Sequence, residues 1–217
     1  MIRQAIIPLA GLGTRLLPLT SVFAKELLPM NGKAGIEYIL DECIDAGIKE
    51  VVFIISKKKM MIKDYFYKDS FYKKILKKKK DKRIINEYRK ILKYKKMIKF
   101  VYQNKPLGTG DAVLKTKKFI KDKYFLMLLP DDLIVKKNCS KDMISISMKN
   151  KCSVMASMKV KKNNVSRWGI YSVSKRLNKD NFFIKDVIEK PTIKKAPSTN
   201  AVIGLSLIHI SEPTRPY

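Results

Sequence analysis

Histidine and cysteine are scarce in this sequence of 217 residues, which limits the chemistry that it can support. The only histidine, His209, lies close to the C-terminal end, so acid–base catalysis by an imidazole is not expected. The three cysteines, Cys43, Cys139 and Cys152, are widely spaced and form no C-x-x-C pair. Such a set is typical of ordinary thiols in a reducing cytosol, and it excludes a disulfide framework or a zinc site.

Long apolar runs are absent as well. The longest, near Phe125–Leu129, falls far short of the roughly 20 residues that a membrane-spanning helix needs. The first apolar run, Ile6–Ala10, is too short for a signal peptide and is interrupted by Pro8. We therefore expect a soluble, cytoplasmic protein.

Acidic residues are few: 19 stand against 47 basic ones, which gives a formal net charge of +28. A charge of this size ordinarily indicates a nucleic-acid or anionic-membrane partner. Only seven of the basic residues are arginines, however, and proteins that read nucleic acid favour arginine for bidentate and stacking contacts. An AT-rich coding bias would place lysine on any solvated face, so we expect neither partner. A lysine-rich nucleic-acid-binding protein is the alternative from another functional class.

What the sequence does contain is the pattern of one α/β domain with a sizeable core. Apolar runs at Ala5–Ala10 and Val51–Ile55 enclose a helical pattern at Gly35–Ala46, which predicts a β-α-β unit in a parallel sheet. Residues 57–99 predict two or three amphipathic helices. Later patterns predict a helix at Thr109–Phe119 and strands at Phe100–Tyr102, Tyr124–Leu129, Cys152–Val160, Ile170–Val173 and Phe182–Ile188. The expected fold is a Rossmann-like, doubly wound mixed sheet.

The first predicted strand runs into A-G-L-G-T-R-L-L-P-L-T at residues 10–20. Gly-x-Gly after a strand indicates a turn whose backbone N–H groups can approach an anion. Leu16 stands where the dinucleotide fingerprint needs its third glycine, and no Gly-Lys-Ser/Thr follows as a P-loop requires. Two interpretations are left: a plain glycine-rich turn, or a nucleotide loop in which Arg15 and Lys25 clamp phosphates.

Six further short motifs follow this loop in order. They are K-E-L-L-P at 25–29, D-E-C-I-D-A-G-I-K-E-V-V-F-I at 41–54, G-T-G-D-A-V at 108–113 after Gln103, L-L-P-D-D-L at 128–133, W-G-I-Y at 168–171 and V-I-E-K-P at 187–191. Together they resemble the motifs of the bacterial UTP–glucose-1-phosphate uridylyltransferases, and the likeness covers residues 2–204. It implies the sugar nucleotidyltransferase fold and the formation of UDP-glucose and pyrophosphate by in-line attack on the α-phosphorus of UTP.

The resemblance also assigns roles to residues of this chain. It implies a nucleotide site formed by Ala10, Gly11, Gly13, Gln103 and Gly108, in which Gln103 contacts the uracil. It implies a sugar-phosphate site formed by Gly169, Glu189 and Lys190. The implied catalytic residues are Arg15 and Lys25, which stabilise the triphosphate and the leaving pyrophosphate, and Lys190, which aims the glucose-1-phosphate.

A carboxylate pair, Asp131-Asp132, directly follows the predicted strand at Tyr124–Leu129. Ligands of open α/β sheets gather at the carboxyl ends of strands, and Mg²⁺ takes one or two carboxylates with substrate phosphates completing its shell. By resemblance Asp131 is the Mg²⁺ ligand, and Asp132 could assist through water. The resemblance further implies UTP and glucose-1-phosphate as the substrates, and a homo-oligomer for a full-length member.

Several positions depart from the family's usual pattern. Asp111 stands where histidine is more usual, Ala24 where proline commonly precedes the Lys-Glu pair, and Thr20-Ser21 where Thr-Lys is usual. These departures weaken the expectation of full activity. A sister enzyme that makes dTDP-glucose is the alternative within the class, although that family usually shows Gly-Asp-Asn at the metal strand.

The composition changes abruptly at residue 205. Leu205–Tyr217 holds the only histidine and two of the nine prolines, but no lysine. We therefore expect a nucleotidyltransferase domain over residues 1–204, incomplete at its C-terminus, and a foreign tail over 205–217 that lacks close packing. By resemblance the missing portion would carry a second metal-binding aspartate, which predicts a weakly active or inactive chain.

Overall fold

The computed structural model describes residues 2–78, 80–135 and 137–210, and most of its strands join one mixed sheet. The strands are β1 (Gln4–Pro8), β2 (Pro29–Met30), β3 (Lys33–Ala34), β4 (Glu50–Ile55), β5 (Ile98–Tyr102), β6 (Tyr124–Leu128), β7 (Val154–Lys159), β8 (Gly169–Arg176), β9 (Phe182–Glu189) and β10 (Asn200–His209). The helices are α1 (Gly35–Asp45), α2 (Met60–Tyr67), α3 (Ser70–Lys78), α4 (Lys82–Met97), α5 (Gly108–Lys115) and α6 (Cys139–Asn150). Across the described ranges, none of these helices has the length and apolar character needed to span a membrane.

The large sheet has a parallel half and an antiparallel half. Its strand order is β5-β4-β1-β6-β10-β8-β9, with β7 also paired to β10. Strands β5, β4, β1 and β6 run parallel, whereas β10 runs antiparallel to β6, β7 and β8. The short strands β2 and β3 form a separate antiparallel hairpin. The mixed sheet predicted from the sequence is confirmed.

Helices cover both faces of the parallel half, because successive side chains of a buried strand point to opposite sides. In β1, Ala5 and Ile7 pack on the larger core cluster with Ile36 of α1. Ile6 lies between them and packs on the other face with Ala112 of α5. This arrangement is the doubly wound fold that the continuous apolar strands predict.

The predicted elements are present with shifted ends, and four elements were not predicted: the hairpin strands β2 and β3, helix α6 and strand β10. The lysine-rich stretch forms the three helices α2, α3 and α4, as expected. Helix α6 was not predicted, because its serines interrupt the apolar spacing; Asn138 caps it by accepting from the Lys141 N–H at 2.8 Å. Strand β10 was not predicted either, because it spans the composition break.

The expectation that the chain lacks close packing after residue 204 is wrong for residues 205–209. These residues continue β10 and pair with β6 over the full register from Leu205 opposite Leu128 to His209 opposite Tyr124. Leu205 and Leu207 are 1% and 0% exposed and belong to the larger core cluster. The alternation of apolar and polar side chains suits a strand between β6 and β7, whatever its composition. Residues 211–217 lie outside the described part of the chain.

Gly204 lies in β10 where the backbone passes close to the end of β6. Its carbonyl accepts from the Leu129 N–H at 2.7 Å, and its own N–H donates to Asp132 Oδ2 at 2.6 Å. A Cβ at this position would lie 2.5 Å from Leu129 Cβ and 2.6 Å from Asp132 Oδ2. No side chain fits there without a backbone shift.

We therefore expect Gly204→Ala to lower the free energy of unfolding by about 1–3 kcal/mol, the usual cost of overpacking. Denaturant unfolding of the variant beside the parent protein measures this. Gly110→Ala is the matched control, since a Cβ there meets nothing within 4 Å. Equal stability of Gly204→Ala and the parent would show that β10 does not pass β6 this closely.

Candidate active site

A cavity of about 260 Å³ opens where β1, β5 and β6 end at their carboxyl edge. Such edges are where open α/β sheets place their ligand sites. Six of the residues assigned from the sequence line it: Ala10, Gly11, Lys25, Gln103, Gly108 and Asp131. The fold therefore brings together side chains and backbone from four separate motifs.

The glycine-rich loop supplies one wall of this cavity. Gly13 adopts a left-handed conformation with φ of 69°, which favours glycine, and its carbonyl accepts from the Thr20 hydroxyl at 2.8 Å. This bond folds the loop back on itself. Gly13 and Arg15 belong to the continuation of the loop and do not line the cavity, and Arg15 is exposed. Its guanidinium is accordingly open to solvent.

Lys25 and Asp131 form an ion pair across the cavity, with 3.0 Å between Lys25 Nζ and Asp131 Oδ2. The pair joins the K-E-L-L-P motif to the residues that follow β6. Among the described residues, no group of three or more acidic, histidine or cysteine side chains is arranged to hold a metal ion.

Behind Lys25 lies a second ion pair, and this one is buried. Lys59 Nζ donates to both carboxylate oxygens of Glu26, at 2.8 and 2.9 Å. Burial lowers the pKa of Lys59; the Glu26 carboxylate opposes that shift, Lys25 adds to it, and Asp131 opposes it. Two ion pairs, Lys25–Asp131 and Glu26–Lys59, therefore lie next to each other beside the cavity.

Asp132 has a different environment from its neighbour Asp131. Its Oδ2 accepts from the Gly204 N–H, which fixes β10 against the end of β6. The geometry gives Asp132 a structural contact and leaves Asp131 as the carboxylate that lines the cavity.

The residues assigned to the sugar phosphate lie together on β8 and β9, apart from the cavity lining. Gly169 is the register partner of Glu189, and a Cβ on Gly169 would lie 3.0 Å from Glu189 Oε2. Lys190 follows with φ of 46°, and its N–H donates to the Trp168 carbonyl at 3.0 Å. Its Nζ lies 3.8 Å from Glu189 Oε1, and both side chains are exposed.

Strand β10 links this group to the cavity. Val202 lies beside Gly169, with 3.1 Å between Val202 Cγ2 and a Cβ built on that glycine, whereas Gly204 lies against Asp132. The two contacts are two residues apart, or about 7 Å along a strand. The sugar-phosphate residues and the end of β6 therefore contact β10 at neighbouring points.

Glu26 and Lys59 are the members of this region that the sequence did not reveal. Lys59 belongs to the run Lys57–Lys59, in which Lys57 and Lys58 are exposed and only Lys59 is buried. Nothing in a run of identical residues signals which one turns inward. The adjacent apolar residues at helical spacing are the only clue to the buried side.

The family model described as nucleotidyl transferase matches residues 4–207. The chain is 36% identical over 214 residues to a UTP–glucose-1-phosphate uridylyltransferase of Streptococcus pyogenes, covering 95% of this chain and 69% of that protein.

Two solved structures are similar to this one over 96% of the chain. A UTP-bound UGPase from Acinetobacter baumannii superposes with a TM-score of 0.88 at 29% identity, and 75% of that chain is covered. A UDP-glucose pyrophosphorylase complexed with UDP-glucose superposes with a TM-score of 0.82 at 30% identity, and 76% of that chain is covered.

Proposed function

This chain belongs to the nucleotidyl transferase family, and we propose that, like the uridylyltransferases it resembles, it joins UTP and glucose-1-phosphate into UDP-glucose and pyrophosphate. The observation that carries the proposal is the meeting of four motifs at one cavity: the glycine-rich loop, the Gln103–Gly108 turn, and the two motifs whose Lys25 and Asp131 form an ion pair. Their backbone N–H groups, amide and cation are complementary to a nucleoside triphosphate.

The proposed reaction does not require a general base from the protein. A phosphate oxygen of glucose-1-phosphate is already an anionic nucleophile, so it attacks the α-phosphorus in line without a general base. Catalysis then consists of positioning and of stabilising charge on the phosphates. Lys25 and Arg15 carry out the second task in this proposal, on the triphosphate and on the departing pyrophosphate, and Lys190 aims the nucleophile.

A divalent cation, Mg²⁺ in this proposal, would be held by Asp131 together with phosphate oxygens. It would supply positive charge to the reacting phosphates. Asp131 also orients Lys25 through their ion pair, so the same carboxylate would contact both the divalent cation and the Lys25 ammonium group.

Base and sugar are recognised separately in this account. Gln103 and the backbone of Gly108 face the uracil, whereas Glu189 accepts from adjacent sugar hydroxyls beside Gly169. The absence of a Cβ on Gly169 keeps the Glu189 carboxylate accessible.

This separation predicts opposite effects of two substitutions. Gln103→Ala should raise the Kd of UTP about tenfold and leave glucose-1-phosphate binding unchanged, because it removes a hydrogen bond to the base. Glu189→Ala should spare UTP and weaken glucose-1-phosphate by roughly 10- to 100-fold, because it removes a charged acceptor. Calorimetric titration of each variant with each ligand measures both effects.

Glu189→Gln is the matched control, since it keeps the shape and one acceptor while removing the charge. It should lie between the parent and Glu189→Ala in its affinity for glucose-1-phosphate. Equal weakening of both ligands by both substitutions would contradict the division into two subsites.

A further inference from the structure

Gln103 is a buried amide held rigidly at the rim of the cavity. It follows the last residue of β5, and its N–H donates to the Ile55 carbonyl at 2.9 Å, which continues the pairing with β4. The residue is 5% exposed and lines the cavity. Its backbone therefore leaves the side chain only a small choice of orientations.

The amide nitrogen of this side chain has two partners, and both are acceptors. Gln103 Nε2 donates to the Gly108 carbonyl at 3.1 Å and to Asp111 Oδ2 at 2.7 Å. A carbonyl and an ionised carboxylate cannot donate, so rotating the amide by 180° would set its oxygen against two oxygens. Within the described part of the chain, no hydrogen bond to Gln103 Oε1 is found. That oxygen is the polar atom left for a ligand.

Asp111 is itself fixed in place. It lies in the first turn of α5, where the helix dipole favours a negative charge. Its other oxygen, Oδ1, lies 3.5 Å from Lys115 Nζ, one helical turn further on. The carboxylate is thus held between the amide and an ammonium group.

We propose that Asp111 is a positioning residue for base selection: it fixes the Gln103 amide so that the cavity presents an acceptor, and thereby favours a base with a ring N–H. This inference rests on the proposed function, in which Gln103 contacts the base. Uracil carries a donor at N3, whereas cytosine carries an acceptor at the same position. An amide oxygen accepts from the first and meets a lone pair of the second.

The amide oxygen that Asp111 positions does not discriminate between uracil and thymine, because both bases carry N3–H. Asp111 therefore acts on the choice between UTP and CTP and leaves the choice between UTP and dTTP unchanged. A residue that merely stabilised the turn would affect all three nucleotides alike.

The test compares the Kd values of UTP, CTP and dTTP for three variants by calorimetry. In Asp111→Ala the preference for UTP over CTP should fall about tenfold, the effect of losing a hydrogen bond to a charged group. Asp111→Asn should keep most of the preference, because its Oδ1 still accepts from the amide. Lys115→Ala, which leaves the Gln103 contact in place, should keep it too. The ratio of UTP to dTTP should be the same throughout.

An unchanged ratio of UTP to CTP in Asp111→Ala, or an equal loss for all three nucleotides, would overturn the inference. A parent protein without any preference for UTP over CTP would overturn it as well. Failure of the proposed function would appear differently, as a parent protein whose release of pyrophosphate from UTP does not depend on glucose-1-phosphate.

A second measurement covers the case in which Asp111→Ala does not fold. Gln103→Glu brings two carboxylates into contact and should lower the melting temperature by at least about 3 °C. Adding Asp111→Asn to that variant should restore most of the loss. Equal melting temperatures of the single and the double variant would show that Asp111 does not contact residue 103.

Discussion

Asp131→Asn is expected to reduce turnover at least about 100-fold while leaving the fold intact. The substitution keeps the shape of the side chain but removes the negative charge that pairs with Lys25 Nζ at 3.0 Å and that would hold Mg²⁺. The Asp131 side chain is 58% exposed, so the loss of this ion pair should change the free energy of unfolding by less than about 1 kcal/mol. Pyrophosphate release at saturating Mg²⁺ and a thermal melt measure the two effects.

The adjacent carboxylate provides the control. Asp132 accepts from the Gly204 N–H, and an asparagine at that position keeps an acceptor oxygen. Asp132→Asn should therefore retain activity within a few-fold of the parent. Near-normal activity of Asp131→Asn would contradict the assignment, and a loss confined to Asp132→Asn would move the metal site to the neighbouring residue.

The largest effect on stability is expected from Lys59→Met. The substitution fills the space of the lysine stem but leaves the Glu26 carboxylate buried without its partner. Breaking a buried ion pair on one side costs about 3–5 kcal/mol, which corresponds to a fall in melting temperature of roughly 6–20 °C. Denaturant unfolding gives the free energy directly.

Two comparisons separate the charge effect from packing. Lys59→Met combined with Glu26→Leu should recover most of the stability, because an apolar pair of similar volume avoids the desolvation of both charges. Lys68→Ala removes one partner of the exposed Asp64–Lys68 pair and should cost less than about 0.5 kcal/mol. If Lys59→Met costs no more than Lys68→Ala, the Glu26–Lys59 pair is not buried in solution.

Recovery of stability in the double variant should not bring back full activity. Glu26 is next to Lys25 in the chain, and Lys25 and Asp131 both influence the Lys59 charge. Removing the buried pair therefore changes the field around the two residues that face the phosphates. We expect a lower kcat with little change in the KM for UTP.

The parallel core could be predicted because its signals are local. Continuous apolar runs in β1 and β4, and the helical spacing of α1 between them, determine a β-α-β unit without reference to the rest of the chain. The motif residues could be assigned because the carboxyl ends of neighbouring parallel strands must meet. Ala10, Gln103 and Asp131 line one cavity for that reason.

The features that escaped prediction depend on contacts between distant parts of the chain. Leu205 and Leu207 lie in a stretch whose composition differs from that of the rest of the chain. They nevertheless form part of the strand between β6 and β7, because pairing there requires only that alternate side chains be apolar and buried. Lys59 is distinguished from Lys57 only by the carboxylate that it meets 33 positions away. Asp111 lies eight positions from Gln103, and only the folded turn shows that the two side chains are in contact.

The central claim is the transfer of a uridylyl group to glucose-1-phosphate, and the most direct test is pyrophosphate release by this chain with UTP or dTTP as the nucleotide. The account predicts release that requires both UTP and glucose-1-phosphate, and that is slower when dTTP replaces UTP. Pyrophosphate release from UTP that does not require glucose-1-phosphate, or faster release with dTTP, would contradict it.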